Sequence, residues 1–244
     1  MRLLEFLMVP TFGLERPTRR TKCPNRNTSG PVWTSKPGAN VSRPRQFDED
    51  KALDAAIACF WRHGLEATSV RDLTGEMGIN GPSLYNAFGD KRALFSAALE
   101  RYVTLRVRER IGRIEREHLA REALDMFFRE VIDQAVSDPE QRGCMMVNAA
   151  LGLAPDDDVL RPQIAGYFAE IEEFFSRALT AIGQRPGARL AVSPHNGARM
   201  LVAMLIGLRV LARVRPDHEV LDGVMRGTLS AIDGQSLSNT GSEG

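Results

Sequence analysis

Residues 68–91 read TSVRDLTGEMGINGPSLYNAFGDK, and the fold follows from how they are parsed. Val70, Leu73 and Met77 fall at i, i+3 and i+7, one apolar face of a short helix. Thr68 or Ser69 caps its start, and Ser69 with Asp72 has the spacing of a capping box. Gly78 suits the left-handed residue that ends a helix, and Ile79 plugs the turn. Asn80 is an N-cap for a second short helix. Pro82 sits in its first turn, where backbone N–H groups lack helical partners anyway. Leu84 and Phe88, at i and i+4, face inward. Gly81, Ser83, Tyr85 and Asn86 then face outward. Asp90 caps the helix that follows, with Lys91 beside it.

Two short capped helices about a glycine break are the sequence logic of a helix-turn-helix. The second helix enters the major groove N-terminal end first, while the first crosses the backbone. The expected DNA-facing residues are Thr68, Ser69 and Arg71 on the crossing helix, with Asn80, Gly81, Pro82, Ser83, Tyr85 and Asn86 on the reading helix. The Tyr85 hydroxyl suits a phosphate. Lys91 and the free N–H groups beside it suit a second one. Arg43 and Arg45, just ahead of the first helix, are candidates for a basic arm; solvated charge is the competing reading. An ordinary helical hairpin that binds nothing competes for the whole stretch. The Gly78-Ile79 break, the caps and the Tyr85-to-Lys91 spacing weigh against it.

The pattern T-S-V-R-D-L-x-x-x-M-G-I-x-x-x-S-L-Y-x-x-F-x-x-K-x-x-L-F resembles the DNA-binding domain of the tetracycline-repressor (TetR) family of bacterial regulators. The resemblance extends upstream through Ala67, Gly64, Phe60 and Ala56 and covers roughly residues 45–100. It implies an all-α chain: a three-helix reading head followed by a helical ligand-binding and dimerisation domain. One departure is Gly81, where the family often carries lysine or another larger residue.

Composition allows this. The 244 residues are 43% apolar, enough for one or two packed domains. The formal charge is +1, which excludes a global polycation. Residues 1–42 hold seven Lys/Arg against two acids, a net +5, so the remainder carries −4. Residues 43–92 hold seven Lys/Arg and eight acids, so a specific DNA contact there needs cations focused on one face. Cys23, Cys59 and Cys144 form no disulfide framework, and an odd count fits a reducing cytoplasm. No zinc spacing or phosphate-binding glycine motif appears, so no cofactor and no resident metal is expected. The opening MRLLEFLMVP is a poor signal peptide and too short to span a membrane.

In chain order, residues 1–42 read as a disordered basic extension, either an arm that adds phosphate contacts or a translation-start artefact. Residues 43–92 form the DNA-binding domain, 93–234 the effector-binding and dimerisation domain, and 235–244 a disordered tail. The first helix spans Asp48 to His63 and is ended by Gly64, with Leu53, Ala56, Ile57, Phe60 and Trp61 buried; Cys59 is inert core. A long helix then runs from Asp90 to about Arg113 on Leu94, Phe95, Ala98, Leu99, Tyr102, Leu105 and Ile111, shared by both domains. Its arginines from Arg101 to Arg116 read as a solvated face. Further helices are expected near 118–136, 143–152, 157–183, 194–213 and 218–232, with no strand pattern competing.

The run Ala198 to Val214 is apolar nearly all round, broken by Arg199, Arg209 and Arg213, so it is not a membrane span. Burial against a second copy is the economical solution. Met204, Leu205, Leu208, Leu211 and Val224 are the expected dimer contacts. Around RGCMMVNAALGLAPDDD (142–158), the candidate effector pocket comprises Tyr102, Phe127, Phe128, Cys144, Met145, Asn148 and Phe168. A satisfied core is the alternative for each. Cys144 has two further options, a thiol modified by an electrophile or oxidant and a soft-metal ligand alongside the methionines.

The expected function is a homodimeric repressor on a palindromic double-stranded operator, released by a small-molecule effector. A helical protein-interaction module that never touches DNA is the alternative. An enzyme finds no support: His63, His118, His195 and His218 are scattered, and there is no nucleophile elbow or paired acid and base.

Overall fold

The computed structural model describes residues 47–154 and 156–234. Arg43 and Arg45, the 1–42 extension and the 235–244 tail lie outside them. The described residues hold helices and no strand: α1 (Glu49–Ala67), α2 (Val70–Met77), α3 (Gly81–Phe88), α4 (Lys91–Val103), a π-helical turn (Thr104–Arg108), α5 (Glu109–Glu117), α6 (Ala120–Ser137), α7 (Met145–Leu151), α8 (Leu160–Gly183), α9 (Pro194–Val214) and α10 (His218–Ile232). No helix among them is long and apolar enough to cross a membrane.

α1 starts where its caps dictate. The Asp48 carboxylate accepts from the N–H groups of Asp50 and Lys51 at 3.1 and 3.2 Å. Glu49 and Asp50 occupy the positive end of the dipole. Gly64 does not end the helix but kinks it, at φ 79° and ψ 175°, and one more turn follows to Ala67. The Thr68 hydroxyl closes this kink by donating to the Gly64 carbonyl at 2.6 Å. Without it, that terminal carbonyl would lack a helical partner.

Ala52, Ala56, Cys59 and Phe60 of α1 bury against Leu73, Met77, Leu84, Leu94 and Phe95. Phe60 meets Phe95 edge-to-face at 5.0 Å. Leu53, Ile57 and Trp61 are only partly buried. At ~1.5–3 kcal/mol per fully buried large side chain, this small core fixes the angles between α1, α2, α3 and the start of α4. Burial also pushes the Cys59 thiol pKa up, consistent with an inert core position.

α4, the π turn and α5 form one rod from Lys91 to Glu117. The π turn inserts an extra residue per turn, so the apolar face slips by one. Tyr102, Val103, Val107, Ile111 and Ile114 are buried, while Leu105, expected inside, is 39% exposed. The arginines are not a simple solvated face. Arg101 grips Asp50 and Asp54 of α1 at 2.8 and 2.7 Å. Arg108 makes a bidentate pair with Glu170 of α8 at 2.7 and 2.8 Å and also binds Glu100. Arg113 reaches Glu130 of α6 at 2.7 Å. The rod is thus clamped to α1 at one end and to α6 and α8 at the other.

The core of the second domain is aromatic. Phe127 packs edge-on to Phe128 and Phe175 at 5.5 and 5.2 Å, and Phe128 stacks on Phe175 at 5.3 Å. Phe174 completes the cluster, 5.4 Å from Phe127. α8 and α9 pack along each other, with α10 against α9 and α6.

Candidate nucleic-acid interface and the cavities behind it

The turn between α2 and α3 is built by four local devices. Ser69 and Asp72 close a reciprocal capping box: the Asp72 N–H donates to Ser69 Oγ at 3.1 Å, and the Ser69 N–H donates to Asp72 Oδ2 at 3.0 Å. The Ser69 hydroxyl and N–H hold the Asp72 carboxyl below its ordinary pKa. Gly78 is left-handed, at φ 65° and ψ 27°, a conformation that favours glycine. Asn80 accepts from the Ser83 N–H at 2.9 Å, and Pro82 follows in the first turn.

Leu84 is fully buried, so the rest of α3 faces as its period requires. Tyr85 is 50% exposed, and Pro82 and Asn86 are exposed. Gly81 and Ser83 are half-buried, and a side chain at Gly81 would meet nothing within 4 Å. Arg71 and Ser69 are exposed on α2 and its cap. Asn80, Gly81, Pro82, Ser83, Tyr85, Asn86, Ser69 and Arg71 therefore lie on or beside one continuous turn. Thr68 does not join them: at 1% exposure, its hydroxyl is used by the α1 kink. Lys91 also has a structural use. Its ammonium donates to the Thr68 carbonyl at 3.1 Å and to the Glu66 carbonyl at 3.4 Å.

The expected effector pocket is not one cavity. Tyr102, Phe127 and Cys144 border a space of about 20 Å³ with Leu205 and Arg209, roughly one water in size. Phe128 is absorbed by the aromatic cluster, which fills the volume a ligand would need. Phe168 is half-buried and borders neither space. Met145 and Asn148 line a larger cleft of about 570 Å³ instead. That cleft runs between the end of α1, Arg92 and Phe95 of α4, and α7 with the segment after it. The Tyr102 hydroxyl lies 3.7 Å from Cys144 Sγ, and burial drives its pKa up. Gly143 is forced: its φ is 73°, and a Cβ there would meet Arg213 Cδ at 2.8 Å.

A second cavity of about 240 Å³ lies between Trp61 of α1, Arg106 of the π turn, Gln134, Ala135 and Ser137 at the end of α6, the 138–143 loop, and Arg209 of α9. The sequence reading missed it. The available signal was Arg209 itself, a charge on the side of α9 shared with Leu205, Leu208 and Ala212, all buried.

On the outer face of α9 and α10, Met204, Leu208, Leu211 and Val224 line a shallow apolar groove with Met200, Ala203, Gly207 and Thr228. Leu205 points the other way, into the protomer, at 4% exposure. Among the described residues, no group of three or more His, Cys, Asp or Glu side chains gathers to hold a metal.

Two family models match the chain. "Bacterial regulatory proteins, tetR family" covers residues 52–98, and "Transcriptional regulator LmrA/YxaF-like, C-terminal domain" covers 120–227. The HTH-type transcriptional repressor ComR of Escherichia coli (strain K12) is 32% identical over 192 residues, 77% of this chain and 90% of that protein. The uncharacterized HTH-type transcriptional regulator YezE of Bacillus subtilis (strain 168) is 30% identical over 201 residues, 79% of this chain and all of that one. A cysteine mutant of the TetR family transcriptional regulator CifR, solved with 26 bp double-strand operator DNA, superposes with a TM-score of 0.68 at 33% identity, over 78% of this chain and 100% of that one. With the capped α2–turn–α3 unit, the buried Leu84 and the exposed Tyr85 in place, these matches assign the chain to the TetR family of DNA-binding transcriptional regulators.

Proposed function

We propose that the protein is a homodimeric repressor that binds a palindromic operator through α3 and leaves it when a small molecule occupies the space behind the reading head. The observation that carries the DNA contact is the outward face of α3, with Tyr85 half-exposed over the fully buried Leu84. Asn80, Gly81, Pro82, Ser83 and Asn86 present short polar groups and open backbone to base edges. Tyr85 and Arg71 donate to phosphates on either side. Lys91 has a third N–H beyond the two it gives to carbonyls, and that donor suits a phosphate. Arg43 and Arg45, outside the described residues, are proposed as further phosphate donors.

Two copies are supported by the groove on α9 and α10. It is mostly apolar, and Val224 and Met200 in its lining are 41% and 39% exposed. A second copy laid on it gives an isologous four-helix contact. Release by an effector is supported by the placement of the cleft and the smaller cavity, each with a wall from α1 and a wall from the second domain. A ligand there changes the head's angle when it prefers the DNA-incompetent arrangement. A coupling of about 1–3 kcal/mol suffices. Cytoplasmic residence follows from this reading.

Mobility-shift titration of a duplex from the promoter region beside its own gene tests the reading. Wild type is expected to retard it against random competitor, with Tyr85→Ala and Asn86→Ala together weakening binding at least tenfold. Equal affinity of the double variant would remove α3 from the contact.

A further inference from the structure

Arg209 is 6% exposed, and no carboxylate pairs with it among the described residues. Its sole hydrogen bond there is a long one, 3.5 Å to Gln134 Oε1, an oxygen that already accepts from Arg110 at 2.9 Å. The neighbouring acid, Glu130, is spent on Arg110 and Arg113. Burying a guanidinium without a counter-ion is costly, so the position calls for an anion. The Arg110 pKa is pushed down by burial and by the Arg209 charge, which marks the same excess of positive charge.

Trp61 borders the space beside Arg209 with its ring, while its indole N–H is turned into the packed interior, without an acceptor. Trp61 and Arg209 line the same 240 Å³ cavity, and Arg106, which has no carboxylate partner among the described residues, lines it too. The remaining cation on that wall, Arg142, is neutralised by Asp138 and Glu140 and lies over the Trp61 ring at 4.4 Å.

We infer that this cavity is the site of a small carboxylate with an apolar body, its oxygens on the Arg209 guanidinium and its body beside the Trp61 ring. A carboxylate offers two coplanar acceptors that match the guanidinium fork. One unpaired buried cation asks for one negative charge. The volume is below the ~300–1,000 Å³ of drug-sized sites, so the body is small. Ala135, Pro139 and the Trp61 ring give it apolar walls. Bound there, the ligand joins α1 of the reading head to α9 of the regulatory domain. It rests on the effector-release reading above and names that effector's class.

The test uses the full chain carrying Trp33→Phe, which leaves Trp61 as its one tryptophan. Its fluorescence is titrated with benzoate, benzamide and inorganic phosphate up to about 10 mM, a range that captures weak ligands. Benzoate is expected to give a saturable change. Benzamide, which has the shape without the charge, is expected to bind at least tenfold more weakly. Arg209→Met, which removes an unpaired buried charge and keeps the volume, is expected to fold at least as stably and to lose benzoate binding at least tenfold. Three results each overturn the inference: no saturable change with benzoate, benzamide binding equally well, or Arg209→Met binding benzoate like its parent. Phosphate binding as tightly as benzoate also overturns it, because the site then takes a free inorganic anion. Binding is read without DNA, so failure here leaves the repressor reading standing. Failure of the ligand-free protein to retard any operator sinks that reading and the ligand's role as effector, and leaves the carboxylate site itself to the binding test.

Discussion

The Lys91 ammonium, at the first residue of α4, donates to the Thr68 carbonyl 3.1 Å away at the mouth of α2. A single side chain thereby fastens the rod that enters the regulatory domain to the turn that sets the reading head. Lys91→Met keeps the aliphatic stem and removes the fastening. The expected cost is about 1 kcal/mol of stability, the usual net worth of such hydrogen bonds. Operator affinity is expected to fall at least tenfold, since the head loosens and a phosphate partner goes. Thermal unfolding and mobility shift measure the two. A variant unchanged in both would show that the clasp is incidental.

The capping box that starts α2 makes a pH prediction. Asp72 is held below its ordinary pKa by the Ser69 hydroxyl and N–H. A carboxyl depressed in the folded state contributes stability in full above the unfolded value, about 3.9, and loses it as pH falls through the lower folded value. The stability gap between wild type and Asp72→Asn should therefore be complete at neutral pH and close below about pH 4. Ser69→Ala should cost about 1 kcal/mol at neutral pH through the lost cap. Denaturant melts at several pH values read both. A gap that widens in acid would contradict the assignment.

How much of this was legible in the sequence can be read from particular residues. Caps and turn residues were legible, because Asp48, Ser69, Gly78, Asn80 and Asp90 act within four residues of themselves. Helix spans in the second domain were legible for the same reason: Pro, Gly and Asp breakers act locally. Leu105 was misplaced because a π turn leaves no sequence mark, and it changes which residues face inward downstream of it. The candidate effector-pocket residues divide between two spaces and the core, because aromatic residues line a cavity or fill one with equal ease. Phe127, Phe128, Phe174 and Phe175 chose each other. Thr68 looked like a surface cap until the kink at Gly64 claimed its hydroxyl. The arginines of the rod find partners up to 65 residues away, a pairing no local pattern encodes.

The groove on α9 and α10 gives a direct test of assembly. Val224 is 41% exposed, so Val224→Glu leaves the protomer core intact. In a dimer built on this groove, two symmetry-related carboxylates would face each other in an apolar contact. Sedimentation should then show monomers where wild type shows dimers, with circular dichroism unchanged. An unaltered dimer would place the interface elsewhere.

The outward face of α3 as a reader of duplex DNA is tested most directly by selecting binding sites from a pool of random duplexes with the full chain. The account predicts enrichment of one sequence with two inverted half-sites, bound in preference to unselected duplex and lost with Tyr85→Ala and Asn86→Ala together. A pool that stays random after repeated rounds at low salt, with the protein folded and dimeric, would contradict it.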